Sequence, residues 1–431
     1  MKTEKIRESR ECVLGNGIHF RSILEPRFKT QRITIHMMVP LQKETAAANA
    51  ILPFLLSRAN RQYSDYTRLG QKMQELYGAS LSGEVHKLGD IQILSVSATG
   101  LADEYALNGE KISEELTELI CSTIFDPLLS EDGLFPEDGF LQEKRQTLES
   151  IDSELNDKQS FARKKGLALL LRGEPAALSR YGSRKDVESL TREDAVAAWK
   201  RLIETARFEV MVLGNGSPEL VEETIRRRFP ENRNPVLCET KVFPAGDTVR
   251  EETDEMEVSQ CKLIMGFRSG IGADSFEKIP ALKVMSAVFG GTPHSRLFAN
   301  VREKMSLCYY CSSRYDTNKG VLLVQSGVEE KNLEKAREEI LRQLEDLAAG
   351  NCTEEELHFA KLSLVNGLRS VEDYLGSMES WYLSQTFHPR TLTPEESAKE
   401  MMEVTLEDIQ QAAACCKLDA VYIMKGRENN E

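Results

Sequence analysis

Residues 290–310 decide the fold assignment of this chain, and they are GGTPHSRLFANVREKMSLCYY. Two adjacent glycines interrupt the apolar helix that the spacing predicts over residues 279–288, because glycine is a poor helix former. A short helix over residues 295–304 follows, and then two strands over residues 307–315 and 320–327. The stretch therefore predicts a helix, a glycine break, a second helix and a pair of strands in close succession.

The same order of elements occurs earlier in the chain. In both halves a strand is followed by a helix, a short helix, two strands and a long helix. In the first half the two strands are predicted at residues 79–87 and 90–99, and the long helix at residues 103–124. The halves share little sequence identity, so the order of elements carries the inference. It predicts an α+β fold made by internal duplication, with two homologous domains that each contain an antiparallel sheet covered by helices.

The boundary between the halves is predicted from composition. Residues 230–256 contain three prolines and many charged residues without apolar periodicity, which is typical of a linker between domains. We therefore predict an N-terminal domain over residues 1–229, a linker over residues 230–256 and a C-terminal domain over residues 257–431.

The stretch at residues 290–310 resembles the C-terminal-domain signature of the insulinase-like (pitrilysin) zinc peptidases, whose fold repeats in the way predicted above. The matching features are the two glycines, Ser-Arg-Leu-Phe at residues 295–298, Arg-Glu-Lys at residues 302–304 and a tyrosine shortly after. The resemblance covers nearly the whole chain. In that family the arginine and tyrosine face the zinc domain and hold the substrate backbone and the developing oxyanion. The resemblance assigns these roles to Arg302 and Tyr309.

The chemistry of these two side chains suits the roles that the resemblance implies. A guanidinium offers a fork of donors to carbonyl or carboxylate groups. A phenol can donate one hydrogen bond to an oxyanion, an interaction often worth about 3 kcal/mol. A purely structural alternative is that Arg302 caps a helix or pairs with Glu303 or Glu329, while Tyr309 packs in the sheet.

The first half departs from this family at the zinc site. Members carry His-x-x-Glu-His on the first helix, which supplies two metal ligands and the carboxylate that activates water. Residues 44–60 resemble that helix, and a buried helix is predicted over residues 44–59, but the matching positions hold Ala50, Pro53 and Phe54. None of these side chains can bind zinc or transfer a proton.

The third metal ligand of the family is also missing. It is a glutamate on a later helix, and its position falls at Ser150, with Glu149 one residue away and therefore rotated by about 100° around the helix. No two of the six histidines have metal-ligand spacing, and the acidic run at residues 354–356 better suits a helix N-terminus than a metal. The sequence predicts no metal or other cofactor in this chain, and the resemblance places zinc in a partner subunit.

Composition narrows the possible partners and the location. The chain has 69 acidic and 55 basic residues, a net charge of −14, which argues against a nucleic-acid partner. No window approaches the roughly 20 apolar residues of a membrane span, and the N-terminal residues lack an apolar signal region. The nine cysteines show no secreted-domain framework, so a cytoplasmic protein is expected. A redox or metal role for the Cys-x-x-Cys pair Cys308 and Cys311 is left open as a minor alternative.

Some insulinase-like peptidases are heterodimers in which one subunit carries zinc and the other supplies the arginine and tyrosine in trans. The sequence leads us to expect that this chain is such a non-catalytic subunit of a bacterial-type metalloendopeptidase complex, inactive alone and acting on peptides with a zinc-bearing partner. The alternative is an inactive structural or interaction homologue with no peptidase role.

Overall fold

A computed structural model of the chain describes residues 8–426. The first seven residues of the N-terminal stretch, and residues 427–431, lie outside the described part. Within it, residues 8–152 and 178–239 form one compact unit, called unit 1, and residues 153–177 and 240–426 form another, called unit 2. No helix within residues 8–426 is long and apolar enough to cross a membrane.

Unit 1 is built on a six-stranded sheet of order β1-β2-β6-β3-β5-β4. All neighbouring pairs are antiparallel except β2 with β6, which run parallel. The strands are β1 Glu8–Gly15, β2 Ile18–Leu24, β3 Thr30–Pro40, β4 Ser80–Leu88, β5 Ile91–Leu101 and β6 Arg207–Gly214.

Helices cover one face of this sheet. Alternate residues of β3, including Ile33 and Ile35, and of β6, including Phe208 and Val210, enter one apolar core with side chains from the helices. The helices of unit 1 are α1 Lys43–Ala50, α2 Leu52–Leu56, α3 Tyr66–Glu75, α4 Ile112–Phe125, α5 Glu137–Ser153, α7 Arg184–Ser189, α8 Arg192–Thr205 and α9 Pro218–Arg228.

Unit 2 contains a five-stranded sheet of order β7-β11-β8-β10-β9. This is the order of unit 1 without its edge strand β1, and again one pair, β7 with β11, is parallel while the others are antiparallel. The shared topology agrees with the duplication predicted from sequence. The strands are β7 Arg250–Met256, β8 Cys261–Arg268, β9 Cys308–Asp316, β10 Val321–Val328 and β11 Lys417–Gly426.

Helices pack on both faces of the second sheet. Leu263 and Met265 of β8 point into the larger core with the C-terminal helices, whereas Ile264 between them joins a smaller core formed with α6 Lys158–Leu170. The other helices of unit 2 are α10 Ile279–Ser286, a helix with wide, π-type turns over Leu297–Lys304, α11 Leu333–Ala348, α12 Glu354–Val371, α13 Leu375–Leu383, α14 Pro394–Glu403 and α15 Leu406–Cys415.

The units differ from the predicted domains in two places. Residues 153–177 were expected in the N-terminal domain, but α6 packs on the second sheet because its Gly166 lets the helix backbone approach Ile264 closely. A buried ion-pair network holds the end of this segment, where Glu174 pairs with Arg268 and Lys319. The predicted linker over residues 230–256 is also not free of regular structure, since β7 occupies its last part.

Candidate functional site

The positions of the zinc motif lie in the apolar core of unit 1. Ala50, the last residue of α1, is fully buried, Pro53 is buried, and Phe54 packs against the same core cluster. The single helix predicted over residues 44–59 is divided at Ile51, because a proline has no N–H to donate to the preceding turn. The helix therefore restarts with Pro53 in the first turn of α2.

The motif region also contacts the sheet closely. A Cβ atom added to Gly83 of β4 would lie 2.2 Å from the backbone oxygen of Pro53. That oxygen also accepts a hydrogen bond of 2.7 Å from the Ser57 hydroxyl. The methyl, pyrrolidine and phenyl groups of Ala50, Pro53 and Phe54 contain no donor atom for a metal, so these side chains do not fit the zinc ion that the family resemblance implies.

The position of the third ligand is on the exposed surface of α5. The Ser150 hydroxyl donates to the Gln146 carbonyl at 2.8 Å, and the neighbouring Glu149 is exposed and faces Arg145. Across residues 8–426 no group of three or more His, Cys, Asp or Glu side chains is arranged to hold a metal ion. The sequence analysis did not single out a buried carboxylate on α5, Glu143, which pairs with Arg58 at 2.7 Å and ties α5 to the end of α2.

The second candidate site is residues 290–310 in unit 2. Gly290 is buried, and a Cβ atom there would lie 2.7 Å from both the Leu297 side chain and the Ser313 backbone nitrogen. The structure therefore shows a close approach between helix and sheet at this glycine. After the helix over Leu297–Lys304, the chain turns into β9 at Ser306, whose φ of 50° is in the left-handed region.

Arg302 lies on the outer side of that helix. Its side chain is 41% exposed, its guanidinium stacks 4.7 Å from the Phe298 ring, and its Nε is 3.5 Å from a carboxylate oxygen of Glu303. The purely structural alternative was that Arg302 pairs with Glu303. This ion pair is present, but it is long and open to water, so it contributes little to the stability of the fold. The guanidinium donors therefore remain accessible to a ligand.

Tyr309 is the extra residue of a β-bulge in the edge strand β9. Cys308 pairs with Val328 and Tyr310 pairs with Gly327, which leaves Tyr309 without a partner position in the ladder. A bulge redirects side chains, and Tyr309 is 62% exposed rather than packed in the sheet. Its hydroxyl donates to a Glu329 carboxylate oxygen at 3.5 Å, a weak contact.

The bulge also places Cys308 and Cys311 in the same apolar core, although they are three residues apart in a strand. Both thiols are free. The pKa of Cys308 is lowered to about 7, mainly because the Cys311 thiol donates a hydrogen bond to it. Burial acts in the opposite direction, while a hydrogen bond from Ser326 and the charge of Arg302 lower the pKa further. Arg302 therefore lies close enough to the start of β9 to act on the residue that precedes Tyr309.

Comparisons with known proteins show which proteins this chain resembles in sequence and fold. The profile of the Peptidase M16 inactive domain matches residues 189–364. The chain is 29% identical over 413 residues to the "probable inactive metalloprotease YmfF" of Bacillus subtilis, covering 96% of each chain. A crystal structure of a conserved protein from Enterococcus faecalis is 26% identical and has a TM-score of 0.90, covering 98% of this chain and 100% of that one. A peptidase M16 inactive domain from Pseudomonas fluorescens shares the fold with a TM-score of 0.78 at 17% identity, covering 97% of this chain and 98% of that one.

Proposed function

Because this chain is a homologue of the M16, or insulinase-like, metallopeptidases in which the zinc-binding side chains are replaced, we propose that it is the non-catalytic subunit of a heterodimeric zinc metallopeptidase. In this proposal a second M16 subunit carries the intact His-x-x-Glu-His. This chain supplies Arg302 and Tyr309 to substrate peptides bound between the subunits, in the cytoplasm of a bacterium.

The observation that carries the proposal is the exposure of Tyr309 on a β-bulge. A tyrosine that served only the sheet would be expected to pack on it, whereas this phenol points outward and its one hydrogen bond is weak. Arg302, from the adjoining helix, is likewise exposed and weakly paired. An inactive homologue with a purely structural role has no chemical need for two accessible donors at these positions.

The proposed roles of the zinc ion, Tyr309 and Arg302 follow from the chemistry of each group. Zinc in the partner would act as a Lewis acid on the scissile carbonyl. The Tyr309 hydroxyl would donate one hydrogen bond to the oxygen on which negative charge develops, and this interaction strengthens in the transition state. The Arg302 guanidinium would hold a backbone carbonyl or carboxylate of the peptide, in the ground and transition states alike.

The experiment is reconstitution with a zinc-bearing M16 subunit of similar length. The two chains should copurify and hydrolyse unstructured peptides that neither cleaves alone. In the complex, Tyr309→Phe should lower kcat by about tenfold to a thousandfold, as expected for loss of one oxyanion donor. Arg302→Ala should mainly raise KM, because it removes an interaction present in both states.

Matched controls test whether these effects are local. Tyr374→Phe removes a hydroxyl from another exposed tyrosine of unit 2, and Lys304→Ala removes an exposed charge from the helix of Arg302. Both should retain full activity and assembly. If the complex forms and the Tyr309 and Arg302 variants also keep full activity, the role in trans is wrong, and an inactive structural homologue becomes the better account.

A further inference from the structure

A second polar site lies among the helices of unit 2 and shares no residue with the stretch 290–310. It is a small cavity of about 20 Å³ between α10, α13 and α14. A larger cavity of about 370 Å³ adjoins it, and Pro280 and Glu400 line both. The larger volume falls in the range of small-molecule sites, which is about 300–1,000 Å³.

Lys283 of α10 projects into the small cavity without an anionic partner. Its ammonium lies 5.6 Å from the centre of the Trp381 ring, and among the described residues it makes no hydrogen bond or ion pair. Burial lowers the pKa of Lys283, and the charge of Glu400 only partly offsets this. Glu400 forms an ion pair with Arg390.

His388 lines the same cavity and is also incompletely satisfied. Its Nε2 atom is buried and has no hydrogen-bond partner in the part of the chain that the structure describes. The ring packs edge-on against Phe276, with 5.7 Å between ring centres. The pKa of His388 is lowered to about 4, mainly by burial and to a smaller extent by the nearby charge of Lys283. The ring is therefore neutral at physiological pH.

Neither side chain has a hydrogen-bond partner among the described residues, and with the His388 proton on Nε2 both would donate to one acceptor. Buried polar atoms without partners are rare in folded proteins, and each calls for a ligand, a water or a functional role. A carboxylate has two acceptor oxygens and could take one bond from the Lys283 ammonium and one from the His388 N–H. The aromatic walls of Phe276 and Trp381 exclude water and strengthen such bonds.

The adjoining cavity indicates what kind of molecule carries the carboxylate. Leu282 and Val404 supply apolar surface, and Glu277 and Glu403 are carboxylates without a hydrogen bond or ion pair among the described residues. Apolar surface suits an aliphatic side chain, and the carboxylates suit an ammonium group. We propose that Lys283 and His388 bind the carboxylate of an amino acid or short peptide whose remaining atoms occupy the larger cavity. This proposal does not depend on the peptidase role.

The test compares ligands that differ only in the carboxylate. Leucine, the dipeptide Ala-Leu and the amide Ala-leucinamide would be titrated by calorimetry and by thermal unfolding. Ala-Leu should bind and raise the melting temperature, and Ala-leucinamide should bind at least about tenfold more weakly, since it cannot accept the bond to Lys283 as an anion. Binding of leucine as well points to free amino acids, and binding of Ala-Leu alone points to peptides.

Variants assign the binding to the two residues. Lys283→Met keeps the apolar stem and should reduce Ala-Leu affinity by at least about tenfold, and His388→Phe should weaken it as well. Lys399→Met is the matched control, because Lys399 is on α14, exposed and paired with Glu395. It should leave binding unchanged. Circular dichroism of each variant confirms that the fold is retained.

The imidazole of His388 provides an independent readout by NMR, with His388→Phe identifying its signal. A bound carboxylate favours the imidazolium, so saturating Ala-Leu should raise the His388 pKa from about 4 by about one unit or more. The other charged groups that line this cavity, Lys283 and Glu400, and Arg390, which stacks on Phe276 beside the ring, are the same with and without ligand. If Ala-Leu changes neither the melting temperature nor this titration, or if inorganic phosphate has the same effect, the proposal is wrong.

Discussion

Gly166 of α6 faces Ile264 of β8 so closely that a Cβ atom on the glycine would lie 2.5 Å from the isoleucine Cγ2 atom. The contact places α6 on the second sheet, within a small core of its own. Helix α6 lies in the chain between the two segments of unit 1, residues 8–152 and 178–239, but it belongs to unit 2. The contact depends on the absence of a single methyl group.

Gly166→Ala should therefore destabilise the protein. Alanine favours a helix over glycine by about 1 kcal/mol, but the added methyl overpacks the contact with Ile264, which typically costs about 1–3 kcal/mol. Gly367→Ala is the matched control, since Gly367 is also within a helix and a Cβ atom there meets nothing within 4 Å. Urea unfolding should show Gly367→Ala more stable than wild type. Equal effects of the two changes would contradict the packing argument.

Asp419 should be a large contributor to stability at neutral pH. It is fully buried, and its carboxylate accepts from Arg268 Nε at 2.9 Å, from the Gly246 N–H at 2.7 Å and from Arg250. Asp419→Asn removes one of the two carboxylates that pair with the buried Arg268, the other being Glu174, and should cost about 1.5–3 kcal/mol of unfolding free energy. Asp132→Asn, at an exposed pair with Arg192, should cost less than about 1 kcal/mol.

The effect of Asp419 should also depend on pH. Burial alone would raise its pKa, but the Gly246 N–H and the two arginines outweigh burial and lower the pKa below 3.8. A carboxyl group with a lowered folded-state pKa stabilises the protein above its unfolded pKa and loses this contribution as pH falls through the folded value. The stability gap between wild type and Asp419→Asn should narrow below about pH 4. A gap that is constant between pH 7 and pH 3 would argue against this network.

The zinc site should not be recoverable by restoring one ligand. Ala50→His places a larger, polar side chain in a fully buried position and should lower the free energy of unfolding by about 1–3 kcal/mol through overpacking. Ser150→Glu is at an exposed position and should change the free energy of unfolding by less than about 0.5 kcal/mol. Elemental analysis of the wild type and of both variants should find no stoichiometric zinc. One zinc per wild-type chain would show that the metal site was assigned wrongly.

Cys308 should be the thiol whose reactivity rises through about pH 7. Its pKa is lowered to about 7 by the Cys311 thiol, so the thiolate should be half formed there and react with a small alkylating reagent. Cys311→Ala and, to a smaller extent, Arg302→Ala should move the midpoint to higher pH. Cys121 is the internal control, because burial raises its pKa. Peptide mapping after timed alkylation measures each site, and a midpoint unchanged in Cys311→Ala would refute the hydrogen bond.

Local patterns in the sequence were enough to predict the class of fold. The stretch at residues 290–310 and the repeated order of elements indicated two α+β units, and both sheets do share one strand order. The loss of the metal ligands could also be stated from sequence, because Ala50, Pro53 and Phe54 have no side-chain donor atom for zinc in any fold and Ser150 stands where the family has a glutamate. The roles of Arg302 and Tyr309 remain predictions.

Tertiary structure decided which surfaces meet. The apolar periodicity of a helix indicates which face is buried but not what covers it. For this reason the sequence placed α6 in the N-terminal domain, and the contact of Gly166 with Ile264 could not be predicted. The bulge that exposes Tyr309 depends on its pairing with β10. Lys283 and His388 are more than one hundred residues apart and meet only because three helices pack around one cavity. The sequence alone determined the elements and the chemistry available, and long-range packing determined which of those groups share a site.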